Sequence, residues 1–439
     1  MHKLKRREFL HAGALALGGT FLTSRLAFAR TGNAKSRFVF IVMRGALDGL
    51  AAAPPYGDSD YAGLRRELAL KAPGSPGGAL PLNGFFGLHP GLTFLHDSYS
   101  ARELVVFHAI ASPYRERSHF DGQDVLENGS SKAHAVQTGW LNRALASLQS
   151  GHGQSKELGV ALGQNIPLVM RGPAAVTSWS PSKLAALDED TLERITDLYA
   201  GDPLLSARLA DALAADAIAD SAGMPIQSAA AAIADARAAP MQVVALPAAD
   251  MSAYGAHAAV AVGIRAKPVR YTEVVRAAAG FLRRDDGPQV AVFDTTGWDT
   301  HANEGSAEGQ LAGRLAALDA GLRALKEELG PTWADTAVLL ATEFGRTAAT
   351  NGTRGTDHGT ATAAFLLGGA VQGGRVLADW PGLSSRSLFQ GRDLKPTTDL
   401  RSVLKGVLSE HLLVSSSALE NSVFPSSADA RPIKGLFRA

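Results

Sequence analysis

The stretch from Val290 to Gly369 sets apolar runs on either side of one long amphipathic segment, and this alternation restricts the fold more than any other feature of the chain. "VAVFD" (Val290–Asp294), "TAVLLAT" (Thr336–Thr342) and "TAAFLLGG" (Thr362–Gly369) are apolar at nearly every position. A strand with one wet face alternates apolar and polar residues, so runs of this kind predict strands covered on both faces. Between the first two runs, Leu311, Leu315, Leu318, Leu322, Leu325 and Leu329 recur four and three residues apart, which draws one stripe along a helix. Strand, sheet-packing helix and strand in succession predict an α/β fold: a three-layer α/β/α sandwich with a mostly parallel sheet.

Earlier segments fit the same plan. "RFVFIVMRG" and "LVVFHAI" read as buried strands, and "LTFLHDSYSARE", "SHFDGQDVLENG" and "GWLNRALASLQS" as helices, with Asn128-Gly129 stopping the second of these. "TTDLRSVLKGVLSEHL" supplies a last helix with Thr398 or Asp399 near its cap. Residues 182–240 are rich in alanine and poor in aromatic side chains, and read as a helical insertion within a single domain spanning residues 30–439. No segment repeats with a period of a solenoid.

The first 29 residues read as an address rather than as fold. A basic start with Arg6 and Arg7 leads into a small-residue-rich apolar segment, and Ala27-Phe28-Ala29 fits a small-x-small cleavage site. This is the pattern of a twin-arginine (Tat) export signal, which predicts the Tat machinery as a partner and a periplasmic or secreted destination. Removing residues 1–29 takes away Lys3, Lys5, Arg6, Arg7 and Arg25 against Glu8, and moves the formal net charge from +1 to −3. A mature chain of that charge has no electrostatic footprint for nucleic acid. The sequence contains no cysteine, so no disulfide supports it in an oxidising compartment. No later segment predicts stable membrane insertion after cleavage.

In open α/β sheets ligands bind beyond the carboxyl ends of the strands. Polar residues crowd there in this chain. The first strand leads to Arg44 and Asp48, "LVVFHAI" to "ASPYRERSHFDGQD", "QVAVFD" to "TTGWDTHANEG", and "AVLLAT" to "EFGRTAATNGTRGTDHG". Asp299 and His301 stand two residues apart, so on extended backbone they face one way. Asp357-His358 is a second pair, flanked by glycines, and Glu343 closes a strand. Together with Asp48 these residues are the candidate ligands of a divalent metal: zinc, manganese or calcium. Taken singly, each Asp or His could instead serve an ordinary turn. Ser118 stands where a helix begins. It reads as an N-cap, and as a nucleophile with His119 as base and Arg115 and Arg117 neutralising an oxyanion. Arg44 and Arg346 complete the candidate catalytic set.

Taken together, "RGALDGL", "PYRERSHFDGQD", "GWLNRAL", "GWDTHANEG", "TEFGRT", "TDHGTA" and "GRDLKPTTDLRSVL" resemble a bacterial family of exported proteins, the domain-of-unknown-function family numbered fifteen hundred and one. The resemblance runs over nearly the whole mature chain. That family looks like a distant relation of the alkaline phosphatase and sulfatase superfamily. The resemblance implies a three-layer α/β/α fold and one or two metal ions that activate a hydroxyl against phosphate or sulfate esters. By order along the chain, Ser118 falls near the nucleophile and His301 near a metal-binding histidine. Glu343 stands for an Asp, Phe344 occupies a position that the superfamily gives to His, and Arg44 stands where a ligand Asp is usual, with Asp48 four residues on. The implied function is a metal-assisted ester hydrolase whose substrate is a small anionic ester or a sulfated or phosphorylated glycan. The alternatives are a non-catalytic anion- or glycan-binding or assembly protein that keeps the fold, and a serine peptidase or esterase built on Ser118 and His119.

Overall fold

The structure, a computed structural model, describes residues 35–149, 158–163, 165–180 and 271–438, with a few isolated positions between 199 and 212. The expected export signal (1–29) and nearly all of the expected insertion (182–240) lie outside the described residues. Strands β1 (Arg37–Arg44), β2 (Leu80–Pro81), β3 (Gly87–Leu88), β4 (Leu104–Ala111), β5 (Gly159–Leu162), β6 (Val176–Trp179), β7 (Val290–Thr296), β8 (Thr336–Ala341), β9 (Thr362–Leu367), β10 (Arg375–Leu377) and β11 (Thr398–Asp399) alternate with helices. The main helices are α1 (Gly49–Ala52), α2 (Tyr61–Arg65), α3 (Thr93–Ser100), α4 (His119–Asn128), α5 (Trp140–Gln149), α6 (Tyr271–Leu282), α7 (Gln310–Leu329) and α8 (Leu400–Glu410).

Nine strands form one sheet in the order β10-β4-β9-β8-β1-β7-β5-β6, with β11 beside β4. The central strand β1 pairs in parallel with β7 and β8, and its residues up to Met43 are fully buried. Phe38, Phe40 and Val42 join one apolar layer with Trp140, Leu404 and Phe424. Val39, Ile41 and Met43 join the other with Leu311, Leu318 and Phe281. Alternate side chains of one strand thus feed two cores, which is why its sequence does not alternate in polarity. The fold is mixed α/β, with a largely parallel sheet and helices on both faces.

One strand departs from the expected direction. β9 runs antiparallel to both β4 and β8. A parallel return needs a crossover to the far edge, usually through a helix. The chain between β8 and β9, residues 342–361, makes no helix and stays at the edge where β8 ends, so β9 has to run back down. The same turn-back holds Glu343, Arg346, Asp357 and His358 beside the carboxyl ends of β1, β4 and β7.

A three-histidine and carboxylate crevice as the candidate functional site

Four loops meet at this edge: residues 45–48 after β1, 112–118 after β4, 297–305 after β7 and 342–361 after β8. Gly45 is one reason that they meet closely. Its φ is +118°, and a Cβ there would stand 2.8 Å from the amide N of Asp299. Gly355 lets the last two loops touch, since a Cβ on it would stand 2.5 Å from the His301 carbonyl O. Backbone bonds from Asn303 N to Thr353 O (3.0 Å) and Glu304 N to Arg354 O (2.9 Å) stitch the same two loops, and Asn351 Nδ2 donates to His301 O at 2.9 Å.

Three imidazoles and a carboxylate converge between these loops. His301 Nε2 lies 3.0 Å from Asp299 Oδ1 and 3.0 Å from His358 Nε2. His358 Nε2 lies 3.2 Å from the same Asp299 oxygen, and His119 Nε2 is 3.4 Å from Asp299 Oδ2. The ligand atoms of His119, Asp299 and His358 all fall within 4.8 Å of one another.

The other ring nitrogens decide what these atoms can do. His358 Nδ1 faces the Arg117 carbonyl at 2.9 Å, and a carbonyl only accepts. His119 Nδ1 faces Glu343 Oε1 at 2.8 Å, and His301 Nδ1 faces Asp357 Oδ1 at 3.3 Å. Each Nδ1 is therefore an N–H donor, and in the neutral form of each ring Nε2 carries the lone pair. His119 Nε2 is buried without a hydrogen-bond partner. Lone pairs of His301 and His358 facing each other at 3.0 Å repel unless a proton or a cation lies among them. Acceptors that fix the Nδ1–H tautomer while Nε2 nitrogens converge on a carboxylate are the arrangement of histidines that ligate a metal. The donor set thus fits a divalent cation.

Charge around the cluster follows from its neighbours. Burial tends to raise the Asp299 carboxyl, but the Arg346 guanidinium, with His301 and His119, holds it below its ordinary range. Arg346 is fully buried and donates to Asp299 Oδ1, to the Thr356 carbonyl and, at 3.1 Å, to Thr356 Oγ1. The bond to Glu343 raises His119. Burial lowers His358, and the neighbouring His119 adds to that. Asn351 and His301 hold Asp357 down. Phe344 closes the wall, its ring 5.0 Å from His119 and 5.3 Å from His358.

Of the residues expected as ligands, Asp299, His301 and His358 lie together, with Asp357 behind His301. His119, expected as a base, stands beside Asp299 and His358 in the same cluster. Glu343 departs from expectation: it is fully buried behind His119, and its Oε1 also accepts from Gly45 N (2.9 Å) and Gln123 Nε2 (3.1 Å), while Oε2 accepts from Thr342 Oγ1 (2.8 Å). Burial would raise its carboxyl, but these bonds outweigh burial and keep it ionised. Glu343 orients the His119 ring, and both its oxygens are taken by these donors. Asp48 also departs: it caps α1 through Leu50 N and Ala51 N and pairs with the buried Arg65, away from the imidazoles. Glu304 borders that pair, and burial beside Asp48 pushes its carboxyl up to about 8.

Ser118 begins α4 but makes no capping bond through its side chain; its amide donates to Tyr114 Oη at 3.1 Å, and Gly129 ends the helix in the left-handed conformation. Among the described residues its hydroxyl makes no hydrogen bond to His119. It stands between Arg117, whose carbonyl holds His358, and His119 itself. Arg44 is bound to Asp294 (2.5 Å), Glu127 (2.7 Å) and Gln123 (3.0 Å), and Arg115 to the Ser112 and Tyr114 carbonyls. Neither guanidinium is left for an oxyanion, because the nearest acceptors are internal ones. Gln123, Asn351, Arg392 and Asp393 border the site without having stood out in the sequence.

The family model described as "Protein of unknown function (DUF1501)" matches residues 108–421, most of the chain. The chain belongs to this family. That span of the DUF1501 match contains every imidazole and carboxylate of the crevice and omits β1. No curated protein and no solved structure matches the chain. No helix among the described residues is long and apolar enough to cross a membrane.

Proposed function

We propose that this DUF1501 member is an exported, metal-assisted hydrolase of phosphate or sulfate esters, distantly related to the alkaline phosphatase and sulfatase superfamily. The observation that carries the reading is the convergence of three Nε2 lone pairs on Asp299, each ring fixed through its Nδ1. His119, His301, His358 and Asp299 would hold the ion. A bound zinc, manganese or calcium ion supplies a Lewis acid that lowers the pKa of a hydroxyl and neutralises ester oxygens. Arg346 fixes the Asp299 carboxylate, and Glu343, Asp357 and the Arg117 carbonyl fix the three rings. Ser118, adjacent to His119 and free of a capping bond, is the nucleophile of this reading. The paired arginines at residues 6 and 7 and the Ala27-Phe28-Ala29 site support export through the Tat machinery to the periplasm, with the ion loaded before transit.

One observation favours a second reading, a non-catalytic exported anion- or glycan-binding protein. Arg44, Arg115, Arg117 and Arg346 all spend their donors on internal acceptors rather than on an open oxyanion site. Chain exported through its own signal separates the two. Elemental analysis, paired with a screen of phosphate and sulfate monoesters, is expected to find a divalent metal and turnover that Ser118→Ala abolishes. Metal-free protein, with any hydrolysis unchanged in Ser118→Ala, would defeat the hydrolase.

A further inference from the structure

The arginines bordering the crevice are not equivalent. Arg346 is wholly buried on Asp299 and Thr356, and Arg44 and Arg115 are committed elsewhere. The remaining two share one partner. Asp393, fully buried, accepts from Arg117 Nε (2.9 Å) and Nη2 (2.7 Å) on Oδ2, and from Arg392 Nε (3.0 Å) on Oδ1. One carboxylate between two guanidiniums leaves one positive charge uncompensated.

That surplus is on the solvent side at Arg392. The Arg117 side chain is 18% exposed and is also held by Gln390 Oε1 at 2.7 Å, whereas Arg392 is 49% exposed. Arg392 Nη2 donates to the carbonyl of His358, one of the converging histidines. Its Nη1 makes no hydrogen bond among the described residues. Two internal anchors thus hold the fork at the crevice rim with an edge to spare, so little side-chain entropy remains to be lost on binding. Within the crevice four carboxylates (Asp299, Glu343, Asp357, Asp393) stand against three guanidiniums (Arg117, Arg346, Arg392). A divalent cation turns this formally negative site positive, and Arg392 is then the guanidinium with a free edge beside it.

We propose that Arg392 is the anion-recognition residue of the crevice and binds the phosphate or sulfate group of the ester through its Nη1 edge. The proposal rests on the ester-hydrolase reading and names the residue that selects its substrate class. Planar paired donors suit a tetrahedral oxyanion, and hydrogen bonds between charged groups are the strong ones.

The test is calorimetric titration of inorganic phosphate into metal-loaded, signal-processed protein, for the wild type, Arg392→Ala and Arg392→Lys. The alanine variant is expected to bind phosphate about ten- to a hundredfold more weakly, the scale of one lost charge-assisted bond. Lysine is expected to restore part of the affinity, and KM for an anionic ester to rise more than kcat falls. Unchanged phosphate affinity in Arg392→Ala overturns the proposal. So does a lysine variant no better than alanine, since that marks a loop tie instead of a charge. Arg392-dependent phosphate binding without any turnover would sink the hydrolase and keep this site. Turnover with a KM indifferent to Arg392 would do the reverse.

Discussion

Glu343→Gln separates an orienting role from a ligating one. Glutamine keeps the shape of the side chain and can keep an oxygen toward His119, Gly45 and Gln123, while Thr342 can turn its hydroxyl to accept from the new amide. The charge is what disappears. A hydrogen bond to a charged group contributes about 1.5–3 kcal/mol against about 1 kcal/mol for a neutral one. The loss across the 2.8 Å contact to His119 Nδ1 is therefore about 1–2 kcal/mol. That is a factor of about 5 to 30 in metal affinity, close to the range seen when partners of ligating histidines are removed. Glu343→Ala is a different perturbation: four donors lose a fully buried acceptor, at about 1–3 kcal/mol each, and the fold itself gives way. Competition with a chromogenic chelator for zinc, run beside urea unfolding, reads both quantities. The reasoning is refuted if the glutamine variant binds zinc as the wild type does. It is equally refuted if a well-folded glutamine variant binds no metal, because Glu343 would then be a ligand.

Three further outcomes follow from the same contacts. Asp48→Ala strips the cap of α1 and leaves Arg65 buried without its partner, and urea unfolding should show a loss of about 3–5 kcal/mol, with the folded fraction still binding metal. Gly355→Ala drives a methyl group against the His301 carbonyl, so metal binding should weaken at least tenfold by the standard set for disturbed ligand supports, with the far-UV spectrum unchanged. His108 and His411 are buried, and burial lowers each to about 4, with bonds to Ala53 O and Arg37 O only partly opposing it. Below pH 6.5 the unfolded chain takes up protons that these native rings refuse, so their contribution is complete above pH 6.5 and is lost as pH falls toward 4. The slope is about 1.4 kcal/mol per pH unit for each ring, and His411→Gln should remove one such increment from the pH dependence of the urea midpoint.

Much of the scaffold was legible because burial on both faces leaves a plain trace. β1, β4, β7 and β8 each read as near-continuous apolar runs, and the leucine stripe of α7 marked its sheet-facing side. The meeting of Asp299, His301 and His358 was legible for the same reason, since strand ends in a parallel sheet share an edge. The direction of β9 was not, because an apolar run looks the same either way up. What betrayed it, the lack of a helical pattern between Thr342 and Ala361, was present in the sequence. Asp48 followed by "GLAA" likewise carried a local capping signal that a ligand assignment passed over. Glu343 was harder, since no sequence states which lone pairs of a buried carboxylate are already taken. Arg392 and Asp393 gain meaning only from tertiary neighbours, Arg117 and His358, more than thirty residues away or farther.

An anomalous difference map from crystals grown with zinc or manganese tests the central claim most directly. A peak is expected between the loops, about 2.0–2.2 Å from the Nε2 atoms of His119, His301 and His358 and from a carboxylate oxygen of Asp299. An ion bound elsewhere in an ordered crystal, or three imidazoles hydrogen-bonded only to protein and water at saturating metal, would contradict it.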